Sequence, residues 1–310
     1  MHLTRPAVIA AVAVTTTLVV GCGSSPDESV DTTSESAAPA TASPAASVQG
    51  EPLRILLTDD DGWDAPGITA TYDALIAAGH DVTMVAPAHN QSGQSAAFDF
   101  TGKLEVVHPG GDPKIYSVDS TPVGSVMFGL NEVFKGEKPD LVVSGTNVGS
   151  NVGFDTNYSG TVGAAIVASG AYGVPAIAIS TDTSYRESEV VPAYAQTADL
   201  LVEILDRRIP AMGEGTILNI NYPLLKDGDT EAKGLKYTPM SSASAAAFGY
   251  EQIDETTFEI VPGRAEAQPE SGTDSAELNA GYVTFTLLNA DRSVPESDAS
   301  VVEDLIASLS

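Results

Sequence analysis

Three carboxylates stand in a row at Asp59, Asp60 and Asp61, directly after the apolar run Ile55, Leu56, Leu57 and directly before Gly62. Adjacent like charges repel, so such a run needs a cation, hydrogen bonds or solvent to offset it, and hard divalent cations select carboxylate oxygen. An Asp-rich turn closed by Gly is equally an ordinary strand-to-helix connection. What separates the two readings lies further along. Pro87, Ala88, His89, Asn90, Gln91, Ser92 and Gly93 follow a second apolar run, and Gly145, Thr146, Asn147, Val148, Gly149, Ser150 and Asn151 follow a third. Asn157, Tyr158, Ser159, Gly160 and Thr161 then precede an apolar stretch of helical length that begins near Val162. Ser or Thr with Gly at a helix start leaves backbone N–H groups free, and the helix dipole favours a phosphate there; the plain alternative is an N-cap. Together the clusters offer a hard-cation site, amide oxygens and an anion cradle, the parts of a metal-assisted phosphate hydrolase.

For the clusters to meet, each must leave the same edge of one sheet. From Leu53 onward short β-branched runs alternate with amphipathic stretches, which predicts an α/β fold: a Rossmann-like, doubly wound, mostly parallel sheet whose ligands bind beyond the carboxyl ends of the strands. Strands are expected at 54–58, 81–86, 140–144, 176–180 and 216–220. Ile68, Tyr72, Leu75 and Ile76 recur at helical spacing up to Gly79, and further helices are expected at 123–134, 160–171 and 194–207. After Pro223 the texture changes to strands at 236–240, 257–261 and 281–288 and a closing helix near 298–309, read as a β-rich C-terminal appendage suited to a partner subunit.

The first fifty residues read differently. Met1 to Arg5 is short and basic, and Ala7 to Val20 is apolar, too short to span a bilayer but of the length of an export-signal core. It ends in Val19, Val20, Gly21, Cys22, which resembles the lipobox of bacterial lipoproteins and implies cleavage before Cys22 and lipidation of that Cys. The expected organisation is a signal peptide at 1–21, a lipidated Cys and disordered Ser/Thr/Ala/Pro-rich tether at 22–50, and a folded domain at 51–310, anchored to the membrane on its extracytoplasmic face. Such a tether spans on the order of 30 Å. Cys22 is the chain's one Cys, so no internal disulfide can form. With 14 basic and 42 acidic residues the net charge is -28, which excludes duplex nucleic-acid binding by a basic surface and requires any anion site to be local.

Leu56–Gly67 (LLTDDDGWDAPG), Val85–Gly93 (VAPAHNQSG), Val143–Asn151 (VSGTNVGSN) and Tyr158–Ala164 (YSGTVGA), in that order and spacing, resemble the SurE family of divalent-metal-dependent phosphatases, the survival-protein 5'-nucleotidases. Lesser agreements at Leu218–Asn221, Gly272–Asp274 and Gly281–Tyr282 extend the likeness to about residue 290. The resemblance implies that Asp60, Asp61, Ser92 and Asn147 hold one divalent ion, magnesium or manganese. It implies that Asn90, Asn151, Ser159, Gly160 and Thr161 line the phosphate side, and that Asp60 and Asp61 are catalytic, with Asp60 as proton acceptor. Nucleoside 5'-monophosphates or similar small-molecule phosphoesters are the implied substrates. The exchanged C-terminal arms of that family imply, through the resemblance, a homodimer or tetramer. The chain also departs from the family pattern: Asp59 replaces a usual Asn, Asp64 a frequent His, and Gln91 a common Arg.

Two other readings stay open at this stage. Asp59-Asp60-Asp61-Gly62 also resembles the nucleophile motif of haloacid-dehalogenase phosphatases, with Asp59 forming an aspartyl-phosphate and Asp61 as acid/base, although Trp63 stands where Thr or Val is expected. A tethered α/β protein could instead bind nucleotides or phosphate without turnover, but a pure anion receptor gains nothing from Asp60 and Asp61 unless a metal intervenes. Trp63 reads as a packing residue, His80 and His108 as solvated, and His89 as a candidate leaving-group acid.

Overall fold

The structure is a computed structural model that describes residues 51–100, 102–183, 192–207, 211–226, 228–244, 247–262, 267–293 and 300–309. The expected signal peptide, Cys22 and the expected tether lie outside the described residues, as does the expected helix start at Asp298.

Strand β1 (Arg54–Thr58) founds the core. Ile55 and Leu57 are buried in one apolar cluster and Leu56 in another, the period-two alternation of a strand covered on both faces. Helix α1 (Pro66–Ala77) opens on Pro66, whose missing N–H costs nothing in a first turn, and Gly79 at φ +91° ends it. The chain continues through β2 (Asp81–Pro87), the short β3 (Val106–Val107), β4 (Ile115–Val118) and α2 (Pro122–Phe128), where Thr121 caps the helix by accepting the Gly124 N–H. The expected single helix at 123–134 is α2 followed by a π-type turn at Gly129–Val133. Next come β5 (Leu141–Val148), α3 (Gly160–Tyr172), β6 (Ala176–Thr181), α4 (Tyr194–Arg207) and β7 (Thr216–Tyr222).

After these lie β8 (Leu235–Tyr237), β9 (Phe248–Gln252), β10 (Phe258–Pro262), α5 (Asp274–Asn279), β11 (Val283–Asn289) and α6 (Ser300–Ser308). Among the described residues the main sheet runs β3-β4-β2-β1-β5-β6-β7-β11-β8, with β4 through β7 mutually parallel. Helices α1 and α4 cover one face through Ile68, Leu75, Leu201 and Leu205; α2 and α3 cover the other through Val126, Val162, Ala165 and Ala168. The chain moves outward from β1 to β2 and β4, then returns to place β5 on the other side of β1. That reversal is a topological switch point, where open α/β sheets form their ligand crevice.

Two elements differ from expectation in ways that bear on the site. β5 does not stop at Ser144 but continues to Val148, so Gly145, Thr146 and Asn147 belong to a strand. Ser144 pairs with Ala178 and Asn147 with Ser180, so β5 carries one residue more than β6 between those pairs, a bulge. Gly145 has φ +127°, and a Cβ there would lie 2.0 Å from the Ile179 carbonyl oxygen, so only glycine fits. The region after Pro223 is β-rich as expected, yet β11 joins the main sheet antiparallel to β7 and β8 joins it beside β11, covering what would be an open edge. β8 ends at Tyr237, short of the expected 240, because Pro239 cannot donate to a ladder. Of the described strands, β9 and β10 stand apart as an antiparallel hairpin.

Candidate metal and phosphate site

The three expected loops leave β1, β2 and β5 at the switch point and are stitched together by backbone hydrogen bonds. Gln91 N donates to Asp60 O at 2.7 Å and Trp63 N to Pro87 O at 3.0 Å. The Val148 amide, at the end of the bulged β5, donates to Asp61 Oδ2 at 2.7 Å, and Asn90 Nδ2 donates to Asp61 Oδ1 at 3.0 Å. Asp61 is thereby held by one group from each neighbouring loop. Trp63 packs against the apolar cluster under α1 and α4, which makes it a packing residue.

Asp60 is nearly inaccessible and takes the Thr161 hydroxyl on Oδ1 at 2.5 Å. Gly160 makes that approach possible: a Cβ on it would lie 2.8 Å from Asp60 Cβ and 3.0 Å from Oδ2. Ser159 caps α3 by accepting the Val162 N–H at 3.0 Å, leaving the Gly160 and Thr161 amides without partners inside the helix, and the Gly160 amide turns toward the Asp60 carboxylate. Asn151 Nδ2 donates to Ser180 Oγ at 2.9 Å and to Thr161 Oγ1 at 3.3 Å, while Asn219 and Asn221 both donate to its carbonyl oxygen. Asn147 spends its amide on Gly149 O at 2.7 Å, so its side-chain oxygen is the donor atom that remains.

Asp60, Ser92, Asn147, Asn151 and Ser159 line one cleft of about 460 Å³ together with Asp155, Tyr158, Ser244 and Phe248. Asp61, Asn90, Gly160 and Thr161 are not in this lining and connect to it through the bonds and packing just described. Asp155 and the partner of its hydrogen bond, Ser244, were not singled out from sequence, because each is one of several neighbouring polar residues, Thr156 and Asn157 beside the first and Ser241 and Ser242 before the second. Asp274, part of the Gly272–Asp274 agreement read from sequence, is fully buried and accepts from the Gly153 and Ser241 amides, tying the turn after β5 to the C-terminal region. His89 is exposed and outside this lining. His80, expected in solvent, is half-buried, its Nδ1 accepting the Leu53 N–H at 3.2 Å.

Burial dominates the electrostatics. It pushes Asp60 up to about 6 against the opposing pull of the Thr161 hydrogen bond, with Asp61 adding repulsion. Asp61 is raised by burial too, opposed by the Val148 amide and Asn90. Asp59 is wholly buried, and burial, then Asp61 and Asp60, raise it well above the usual carboxylate range. Its two oxygens have no hydrogen-bond partner of normal geometry, the adjacent Asp60 and Asp61 amides giving only partial relief. A side chain so enclosed and outside the cleft lining cannot reach phosphorus, which removes the aspartyl-phosphate reading.

Among the described residues no three His, Cys, Asp or Glu side chains converge as a metal cage, and none of the cleft's lining side chains is Lys, Arg or His. The donors are instead two carboxylates beside neutral amide and hydroxyl oxygens. Their charge is uncompensated from within, and oxygen-only donor sets suit magnesium, manganese or calcium. The residues therefore fit a hard divalent cation.

Sheet order, switch point and oxygen-lined crevice define an α/β protein of the Rossmann-like class with a combined cation and anion site. The family model described as survival protein SurE matches residues 55–247, and the chain belongs to that family. It is 34% identical over 244 residues to the 5'-nucleotidase SurE of Xylella fastidiosa (strain 9a5c), covering 77% of this chain and 90% of that one. To the 5'-nucleotidase SurE of Nitratidesulfovibrio vulgaris (strain DP4) it is 37% identical over 244 residues, covering 77% and 94%. The crystal structure of the SurE protein from Aquifex aeolicus superposes with a TM-score of 0.67 at 31% identity, covering 83% of this chain and all of that one.

Proposed function

We propose that the chain is a divalent-metal-dependent phosphomonoesterase that hydrolyses nucleoside 5'-monophosphates or closely similar phosphoesters. The observation that carries this reading is the convergence of Asp60, Ser92, Asn147, Asn151 and Ser159 in one cleft at the switch point, with Asp61 fixed beside them. Asp60, Asp61, Ser92 and Asn147 would hold the ion, magnesium or manganese. A divalent ion there supplies Lewis acidity toward a phosphoryl oxygen and lowers the pKa of water. The Thr161 hydroxyl fixes the Asp60 carboxylate, which accepts the proton of the attacking water. The Gly160 and Thr161 amides at the start of α3 hold the phosphate, with Asn90, Asn151 and Ser159 on the same side.

The same reading places the domain outside the cytoplasm, tethered to the membrane through lipidated Cys22 after removal of residues 1–21. It also pairs the chain with a second copy. The exposed Tyr250, Phe258 and Ile260 of the β9–β10 hairpin support such an interface, Tyr250 and Ile260 lying opposite each other.

Phosphate release from AMP should require manganese or magnesium and stop with a chelator. Asp60→Asn should lower kcat by roughly 100-fold or more, the scale of a lost general base. Equal release without metal, or full turnover by Asp60→Asn with manganese bound, would overturn the reading.

A further inference from the structure

The cleft is larger than a phosphate and an ion require. Its 460 Å³ lies within the roughly 300–1,000 Å³ usual for sites that take a whole organic ligand. Part of its lining is aromatic. Tyr158, 51% exposed, lies edge-to-face with Phe154, 46% exposed, at a ring separation of 5.9 Å, and Phe248, 66% exposed, lines the same cleft from the start of β9. None of the three is in either apolar cluster, so the core of this chain does not account for such large rings beside a polar site.

Tyr158 and Phe154 are firmly mounted. The Ser95 amide donates to the Tyr158 carbonyl at 3.0 Å, the Phe154 amide donates to Ala243 O at 3.1 Å, and Asn157 Nδ2 closes the intervening turn on Phe154 O at 2.8 Å. Tyr158 also immediately precedes Ser159, the cap of the phosphate-binding helix. A ligand whose phosphate rests on α3 therefore extends its alcohol portion past Tyr158 and Phe248.

We propose that Tyr158 and Phe248, with Phe154 backing Tyr158, form a stacking platform for a planar aromatic group on the leaving alcohol, a nucleobase or an aryl ring. Ring faces accept any flat π-system, so the platform favours aromatic phosphoesters over sugar phosphates without reading one base by its edge. The inference rests on the phosphomonoesterase reading for the position of the phosphate but not for the binding of the ring.

The test compares AMP, phenyl phosphate and ribose 5-phosphate with manganese in the wild type, Tyr158→Leu, Phe248→Leu and Tyr158→Phe, alongside adenosine binding measured by calorimetry without metal. Wild type should prefer AMP to ribose 5-phosphate in kcat/KM. Each Leu variant should cut that preference by roughly tenfold, through KM rather than kcat, as expected for one lost stacked ring. Tyr158→Phe should keep the preference. Phenyl phosphate matching AMP would assign a general aryl platform, and AMP exceeding it a nucleobase platform. A preference unchanged in both Leu variants, or lost equally in Tyr158→Phe, overturns the proposal even if phosphatase activity is intact. If no phosphoester is hydrolysed, adenosine binding that is weakened in the Leu variants upholds the platform while the enzymatic reading fails; absence of adenosine binding as well overturns both.

Discussion

At the scale of single residues, Asp59 and Thr161 make the most informative pair. Asp59 places a carboxylate in the interior with no adequate partner, and with Asp60 it makes the metal-free fold bind protons more tightly than the unfolded chain, whose Asp residues titrate near 3.9. A raised folded-state pKa means stability that is present below about pH 4 and lost as pH rises, through about 6 for Asp60 and further for Asp59. Melting temperature of the chelator-treated protein should therefore fall between pH 5 and 7. Asp59→Asn should flatten that fall and stabilise the metal-free protein at pH 7 by about 1–3 kcal/mol; a steeper fall in the variant would contradict the assignment. Because metal ligands bind deprotonated, added manganese should raise the melting temperature more at pH 7 than at pH 5. Thr161 acts through Asp60. Thr161→Val removes the hydroxyl that orients Oδ1 while keeping the shape, and should cost roughly tenfold in kcat and weaken manganese binding, measured by paramagnetic resonance.

At the scale of elements, the site depends on how closely α3 and β5 approach the Asp run. Gly160→Ala should push α3 away from Asp60, because the new methyl would meet its Cβ at 2.8 Å; overpacking of this kind costs about 1–3 kcal/mol, read as a lower denaturation midpoint with weaker manganese affinity. The strands β1, β2, β6 and β7 and helices α1, α3 and α4 were legible because their apolar residues repeat cleanly at period two or at helical spacing. The clusters Asp59–Asp61, Asn90–Ser92 and Ser159–Thr161 were legible because each follows a strand or opens a helix. What escaped reading depends on tertiary partners. The bulge in β5 exists only in relation to β6, and the two-residue β3 only as a partner of β4. The joining of β11 to β7 closes about 60 intervening residues that local pattern cannot bridge, and the role of Thr161 as a support for Asp60 appears only when α3 is packed on β5 and β6, which brings its first turn to the Asp run.

At the scale of the whole molecule, charge and site oppose each other. The chain carries a formal net charge of -28, and its cleft has acidic but no basic side chains in its described lining, yet the proposed substrate is an anion. Attraction must come from within the cleft, from the ion and the α3 amides, while the rest of the surface repels the approaching nucleotide. Repulsion over distances beyond a Debye length is removed by salt, which shortens that length from about 30 Å at 0.01 M to about 8 Å at 0.15 M. The local attraction, at contact and partly buried, is screened far less. Raising sodium chloride across that range at saturating manganese should therefore increase kcat/KM for AMP, by roughly two- to tenfold, with little change in kcat. Adenosine, being neutral, should bind with the same affinity throughout. A kcat/KM that falls with salt would mean that a positive surface guides the substrate after all, which a domain of this composition can supply only from residues outside the described cleft.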